Sequence, residues 1–327
     1  MLATIGVPLA GALLFAIGLA LTVWAARRFV GGLGALARGV GLSTYVVGAL
    51  LAGFRAGHIA VGLAAANALA APIALGAIIG GAIFLLCVPL GLWALRASPR
   101  ASVRVPGAYA ALFAAAPLLA GLPLLAPTLA RLGGVVLLCL YAVAAVYVTT
   151  SPAARALARA KDAGFAPYQG GSLGGGIVRA IVGMIGLGVG GAFVTQGAVT
   201  LALGLDIAPL LMGMVVVPAA LGLVMAPRRA YDDGYNTGGY DTGGYDTGVA
   251  DALGAQLSLL FFGLGLLALL APGAVDPLVR RLDWPFLIGA SWLVALALWR
   301  GWMGRLTGAI LVIAYVGLIA LHILARG

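Results

Sequence analysis

The sequence predicts an all-α membrane protein of ten transmembrane helices arranged as two inverted five-helix repeats. Three observations carry this expectation. Hydrophobic residues make up 63% of the 327 residues and charged residues only 9%, against about 25% charge in soluble domains, and the mean hydropathy is +1.13. Ten apolar runs meet or approach the roughly 20 residues a helix needs to cross a bilayer. A polar, glycine-rich stretch at 150–176 leaves five of those runs on each side.

In chain order the runs are 5–26, 43–66, 72–95, 106–127, 132–149, 177–203, 208–226, 250–271, 285–299 and 303–325. The first has no basic residues before it and Arg27-Arg28 after it, which is not the pattern of a cleaved signal peptide. Basic residues mark the inner side of a membrane protein. With the N-terminus outside, the inner loops hold Arg27, Arg28, Arg38, Arg96, Arg100, Arg104, Arg155, Arg159, Lys161, Arg179, Arg228, Arg229, Arg300 and Arg305, and the outer side holds Arg131, Arg280, Arg281 and Arg326. Both termini are therefore expected outside a cell membrane crossed many times. The net charge of +10 follows from this loop bias rather than from nucleic-acid binding. Cys87 and Cys139 fall inside predicted spans and read as small apolar fillers. Trp284, Trp299 and Trp302 near span ends read as interfacial anchors.

The expected units are a first repeat at 1–149 containing a helical hairpin at about 41–92, a connecting segment at 150–176, and a second repeat at 177–327 containing a degenerate hairpin at about 204–271. In the connecting segment SPAARALARAK has the composition of a short surface helix and GFAPYQGGSLGGG that of a tether. An odd number of spans per unit forces the two copies into opposite orientations. IALGAIIGGAIF at 73–84 parallels DALGAQLSLLFF at 251–262, and LARGVGLSTYVVG at 36–48 parallels LALGLDIAPLLMG at 201–213. The segment RRAYDDGYNTGGYDTGGYDTG in 228–249 repeats every five residues and reads as a flexible linker; no spacing in it matches a known Ca²⁺ loop.

The hairpin at 41–92 places Arg55 and His58 in the middle of an apolar run. An arginine there costs roughly 2.5–3.5 kcal/mol on insertion scales, so it marks a functional position by default. Three apart, the two side chains share a face if the segment is helical. They either build a site for an anion or a titrating proton, supply an internal counter-charge, or bond to carbonyls freed where Gly53 and Gly57 loosen the helix. Asp251 and Asp206 open predicted spans and are either vestibule residues or, more ordinarily, helix caps. Thr195, Gln196 and Thr200, with Gln256 and Ser258, line a polar path or bond between helices. His322 reads as a packing or interfacial residue. There is no nucleotide-phosphate motif, catalytic triad or metal-ligand cluster, so neither an enzyme nor a cofactor or bound metal is indicated.

The order Gly-Leu-Ser, hydrophobics, Gly48, a polar centre, then IALGAIIGGAIF resembles the first alpha repeat of sodium/calcium exchangers, of the calcium/cation antiporter superfamily. That resemblance implies a secondary transporter with an ion site near the midplane, between spans two, three, seven and eight. In the family a Gly-Thr-Ser-x-Pro-Glu centre and a Gly-Asn-x-x-Gly-Ser-Asn segment supply oxygen ligands to Ca²⁺ and Na⁺. Here the acidic position falls at Gly57 or His58, and the two amide positions are Ala77 and Ala82. The second repeat keeps Pro218 and offers Gln256 and Ser258. The chain has no glutamate, and Ca²⁺ takes six to eight oxygen ligands with carboxylates supplying the charge. A bare guanidinium about 6 Å away would repel a divalent cation by roughly 5 kcal/mol at an effective dielectric near 20. The expected pathway residues are thus Arg55, His58, Gly57, Ala77, Pro218, Asp251, Gln256 and Ser258. The expected function is transport with an altered or lost calcium site; the alternative is a non-transporting structural or regulatory membrane protein. Expected partners are membrane lipid and a small inorganic ion or proton; nothing points to a particular protein partner.

A cysteine introduced at Ala101 should be shielded from an impermeant thiol reagent added outside cells, and one at Ala274 should react. Labelling in the opposite sense would overturn the orientation drawn from the loop charges.

Overall fold

The computed structural model describes residues 2–39, 53–68, 70–96, 107–125, 127–150, 173–225, 243–273 and 275–325. Outside them lie the first half of predicted span two, the connecting segment at 151–172, most of the five-residue repeats, and the two positions chosen for labelling. The described residues are helical, with no strand among them. We number the helices α1 (Leu2–Gly39), α2 (Ala56–Asn67), α3 (Ala71–Arg96), α4 (Gly107–Leu125), α5 (Ala130–Thr150), α6 (Leu173–Gly204), α7 (Pro209–Val224), α8 (Gly243–Leu257, continuing through Ser258–Gly263 and Leu264–Leu270), α9 (Val279–Arg300) and α10 (Arg305–Leu324). Eight of these are long and apolar enough to cross a membrane; α7 is shorter, and α2 is the end of a run that begins outside the described residues.

Burial sorts the helices into a core and a shell. α3 and α8 are enclosed for most of their length, while α1, α5, α6 and α10 keep a broad exposed apolar side. α3 crosses α7 where glycines face each other: a side chain at Gly76 would fall on the backbone of Gly213, and one at Gly80 on that of Met214. Small residues are what let membrane helices approach this closely. Both helices carry a π-turn at the crossing, Gly76–Gly80 in α3 and Met212–Val216 in α7, and α8 carries another at Ser258–Gly263. A π-turn displaces side chains from regular helical register and is common at functional sites. α1 and α6 pack along each other on one side of this core, and α6 also packs on α2; α4 with α9, α5 with α8 and α3 with α10 complete the shell.

Several boundaries depart from the sequence expectation. α1 and α6 run beyond the apolar windows at 5–26 and 177–203, because contact between them continues past the apolar stretch. α8 begins at Gly243, inside the segment read as a linker to 249. A packed apolar run supplies the costly nucleus, from which a helix can propagate backward into polar sequence. α9 starts at Val279 rather than 285. Trp299 and Trp302 are exposed near helix ends as expected of anchors, but the indole of Trp284 donates to the Pro117 carbonyl at 2.7 Å and ties α9 to α4.

The α1/α6 seam gives a direct test of the packing. A side chain at Gly183 would overlap the backbone of Phe29, whereas Gly188, on the outer side of the same helix, has nothing within 4 Å. Gly183→Leu should destabilise the protein by about 1–3 kcal/mol through overpacking and lower its melting midpoint in detergent, with Gly188→Leu close to wild type. Equal effects would contradict the seam.

Candidate functional site

The helical run that sequence places at 43–66 is interrupted in its middle. Gly53 has φ +73°, a left-handed conformation open to glycine at little cost. A Cβ there would fall on the backbone of Asp251, Gly254 and Ala255 in α8, so the turn is pressed directly onto the other half of the chain. The next residues are extended or capping: Phe54 stacks edge-on with Phe262 of α8 at 5.5 Å, and Arg55, with φ −96° and ψ 57°, stands at the N-terminus of α2. Ser258 fastens the break. Its hydroxyl lies 3.1 Å from both the Gly53 and Ala255 carbonyls, to either of which it donates, and it accepts the Arg55 backbone N–H at 3.4 Å. Backbone groups that the broken helix leaves unbonded are thereby satisfied from α8.

The Arg55 side chain follows the same route. It is 11% exposed, and its Nη2 donates to Oδ2 of Asp251, which is 38% exposed. This corrects two sequence expectations. Asp251 is not a helix cap, since α8 begins eight residues earlier; it is the counter-ion of Arg55. Nor is the guanidinium bare, so the repulsion estimated for an isolated charge is largely cancelled. Asp206 is not a cap either. It adopts φ +53° in the turn before α7, and the N-cap of that helix is Ala208 with no side-chain bond.

His58 sits in the first turn of α2 with no exposed surface. Its ring packs on Gly81 of α3, with Leu259 of α8 beside the same point, and lies near the Pro218 carbonyl of α7; neither ring nitrogen meets hydrogen-bond geometry. Gln256 is also buried. Its amide donates to the Ala82 carbonyl of α3 at 3.1 Å and its oxygen is without a partner. Gly57 and Ala77 are buried, Ala77 within the π-turn of α3. Of the residues singled out from sequence, Arg55 contacts both Asp251 and Ser258; His58 with Pro218, and Gln256 with Ala82, line the neighbouring surfaces. Of the span-six polar residues, Thr195 is buried, but Gln196 points outward and the Thr200 hydroxyl bonds back to the Gln196 carbonyl.

The chemistry of this arrangement is that of a neutralised charge pair with uncommitted polar atoms around it. Arg55 Nε, both His58 nitrogens and Gln256 Oε1 are buried without partners. Among the described residues no three His, Cys, Asp or Glu side chains come together. Sequence reasoning missed one further buried ionisable group, Asp283 of α9, which meets His322 of α10 at 3.1 Å. Its only sequence signal was an aspartate within two residues of the predicted span at 285–299.

The sequence profile of the family described as sodium/calcium exchanger protein matches residues 10–150 and 175–324, one stretch on each side of the connecting segment. Structures of the sodium-calcium exchanger NCX_Mj share the fold. One soaked with 10 mM Na⁺ and zero Ca²⁺ aligns with TM-score 0.57 and 22% identity over 96% of this chain and 99% of that one. One soaked with 2.5 mM Na⁺ and 0.1 mM Ca²⁺ gives 0.58 and 22% over 95% and 97%, and one with zero Na⁺ and Ca²⁺ gives 0.56 and 22% over 95% and 98%. No curated protein matches the chain in sequence.

A double-mutant cycle with Arg55→Met and Asp251→Asn should show a coupling of about 1–3 kcal/mol, between the values for surface and buried pairs because Asp251 is partly exposed. Unfolding measured in mixed micelles gives the number, and additive single effects would mean the pair contributes no coupling.

Proposed function

This chain belongs to the sodium/calcium exchanger protein family, and on that premise we propose that it is a secondary transmembrane transporter whose calcium site is altered, with an internal Arg55–Asp251 pair standing where the family places a metal ion. The observation that carries this reading is the buried guanidinium of Arg55, at the start of α2, bound to the carboxylate of Asp251 in α8. A family-type calcium site needs several charged oxygen ligands. Here Asp251 is already engaged, and the resemblance puts Gly57 or His58 at the acidic position and Ala77 and Ala82 at the amide positions.

The proposed pathway runs through Arg55, Gly57, His58, Ala77, Pro218, Asp251, Gln256 and Ser258. An entering cation competes with the guanidinium for Asp251, so the site favours a monovalent cation, which costs less to dehydrate than a divalent one, or a proton, which binds a side chain covalently. Both termini lie outside, the halves 1–149 and 177–327 form the two inverted repeats, and access alternates by movement of one bundle against the other. A second reading is a non-transporting member that keeps the fold for a structural or regulatory role. It is favoured by the way Ser258 and Asp251 hold α2 to α8, since a fixed bond between the halves opposes their relative movement.

Purified protein should bind Ca²⁺ no tighter than about millimolar, within the weak end of known protein sites, and vesicles containing it should show no Na⁺-driven Ca²⁺ uptake. Micromolar binding by calorimetry, or uptake above empty vesicles, would contradict the altered-site reading.

A further inference from the structure

A second buried ionisable pair lies away from the Arg55 site. Asp283, near the start of α9, has no exposed surface, and its Oδ1 is 3.1 Å from Nε2 of His322, near the end of α10. α9 and α10 run in opposite directions, so both residues sit at the same end of the bundle. Arg280 and Arg281 stand exposed just before Asp283, and at 1.5 Å of rise per residue the pair is about one helical turn below them. Beside His322, a small apolar crevice lies between α3, α7 and α10, lined by Ile83, Met214, Val215, Tyr315, Leu318 and Ile319. Met214 is the residue whose backbone Gly80 touches across the α3/α7 crossing.

We propose that Asp283 and His322 form a proton-binding site reached from the aqueous side where α9 begins, separate from the Arg55–Asp251 centre. A carboxyl and an imidazole 3.1 Å apart interact strongly enough to titrate as a unit. With one proton between them the pair is neutral overall, as acid and imidazole or as carboxylate and imidazolium. Without it, a carboxylate remains beside a neutral ring in apolar surroundings, a costly state that the packing around the pair must relieve. Loss of the proton therefore acts on the packing of α10 against α3 and α7. Asp276 lies close enough to act on Asp283 electrostatically while its carboxylate accepts the Leu278 N–H. Tyr315 is two turns back on α10, near Cys87 of α3. α7 presents only Met214 and Val215 to the crevice, and α4, which packs along α9, carries Tyr109 as its one titratable side chain.

The chain has only two histidines, so ¹⁵N-histidine NMR of the full-length protein in nanodiscs reads His322 directly. The variant H322Q assigns its signal by loss, and H58Q makes the same assignment by elimination if H322Q fails to fold. The His322 ring should change protonation across the pH range over which the protein stays folded. In Asp283→Asn its imidazolium fraction at neutral pH should fall at least tenfold. A His322 signal unchanged across that range would overturn the site. So would a titration unaltered by Asp283→Asn, or one that follows Na⁺ concentration instead of pH.

Discussion

A guanidinium at the centre of an apolar bundle sets the conditions that the surrounding structure meets. Removing such a charge from water costs several kcal/mol even after relaxation, and only a counter-charge with good geometry offsets it. Asp251 supplies that counter-charge from the second half of the chain. For the side chain to reach it, the run holding Arg55 must break, and the left-handed turn at Gly53 lets the backbone rest on α8. Ser258 then satisfies the backbone groups exposed by the break. The ion pair, the turn and the hydroxyl work as one device, and each needs the other two.

The core of the bundle is held by backbone proximity. The close approach of Gly76 and Gly80 to Gly213 and Met214, and the long α1/α6 seam, depend on small residues. The π-turns in α3, α7 and α8 give irregular backbone where α3 meets α7 and α8. On the proposed reading, the centre has exchanged metal-binding oxygens for an internal cation without disturbing the scaffold. His58 and Gln256, both with uncommitted polar atoms, are the groups left to interact with a transported species.

Much of the fold was legible because membrane helices announce themselves by length and apolarity, and Arg55 and His58 stood out as ionisable residues in an apolar run. What remained hidden was mostly long-range. Asp251 lies 196 residues from Arg55, and an aspartate before an apolar stretch resembles a helix cap, so its role required the two halves to be placed together. The break at Gly53 was signalled only by one glycine among 51. Asp283 fell outside the expected span because a hydropathy window stops at Arg280, Arg281 and Asp283, whereas the helix continues through them. Thr195 and Gln196 were grouped as polar residues of one span, yet adjacent residues on a helix do not share a face, and only Thr195 is buried.

The central claim is that Arg55, bound to Asp251, holds the place of a metal ion. A crystal structure of the protein soaked with Sr²⁺, collected for anomalous scattering, tests it most directly. The account predicts continuous density from the guanidinium to the Asp251 carboxylate and no anomalous peak among Arg55, Asp251, Gln256 and Ser258. A Sr²⁺ peak at that centre, with Arg55 swung away from Asp251, would contradict it.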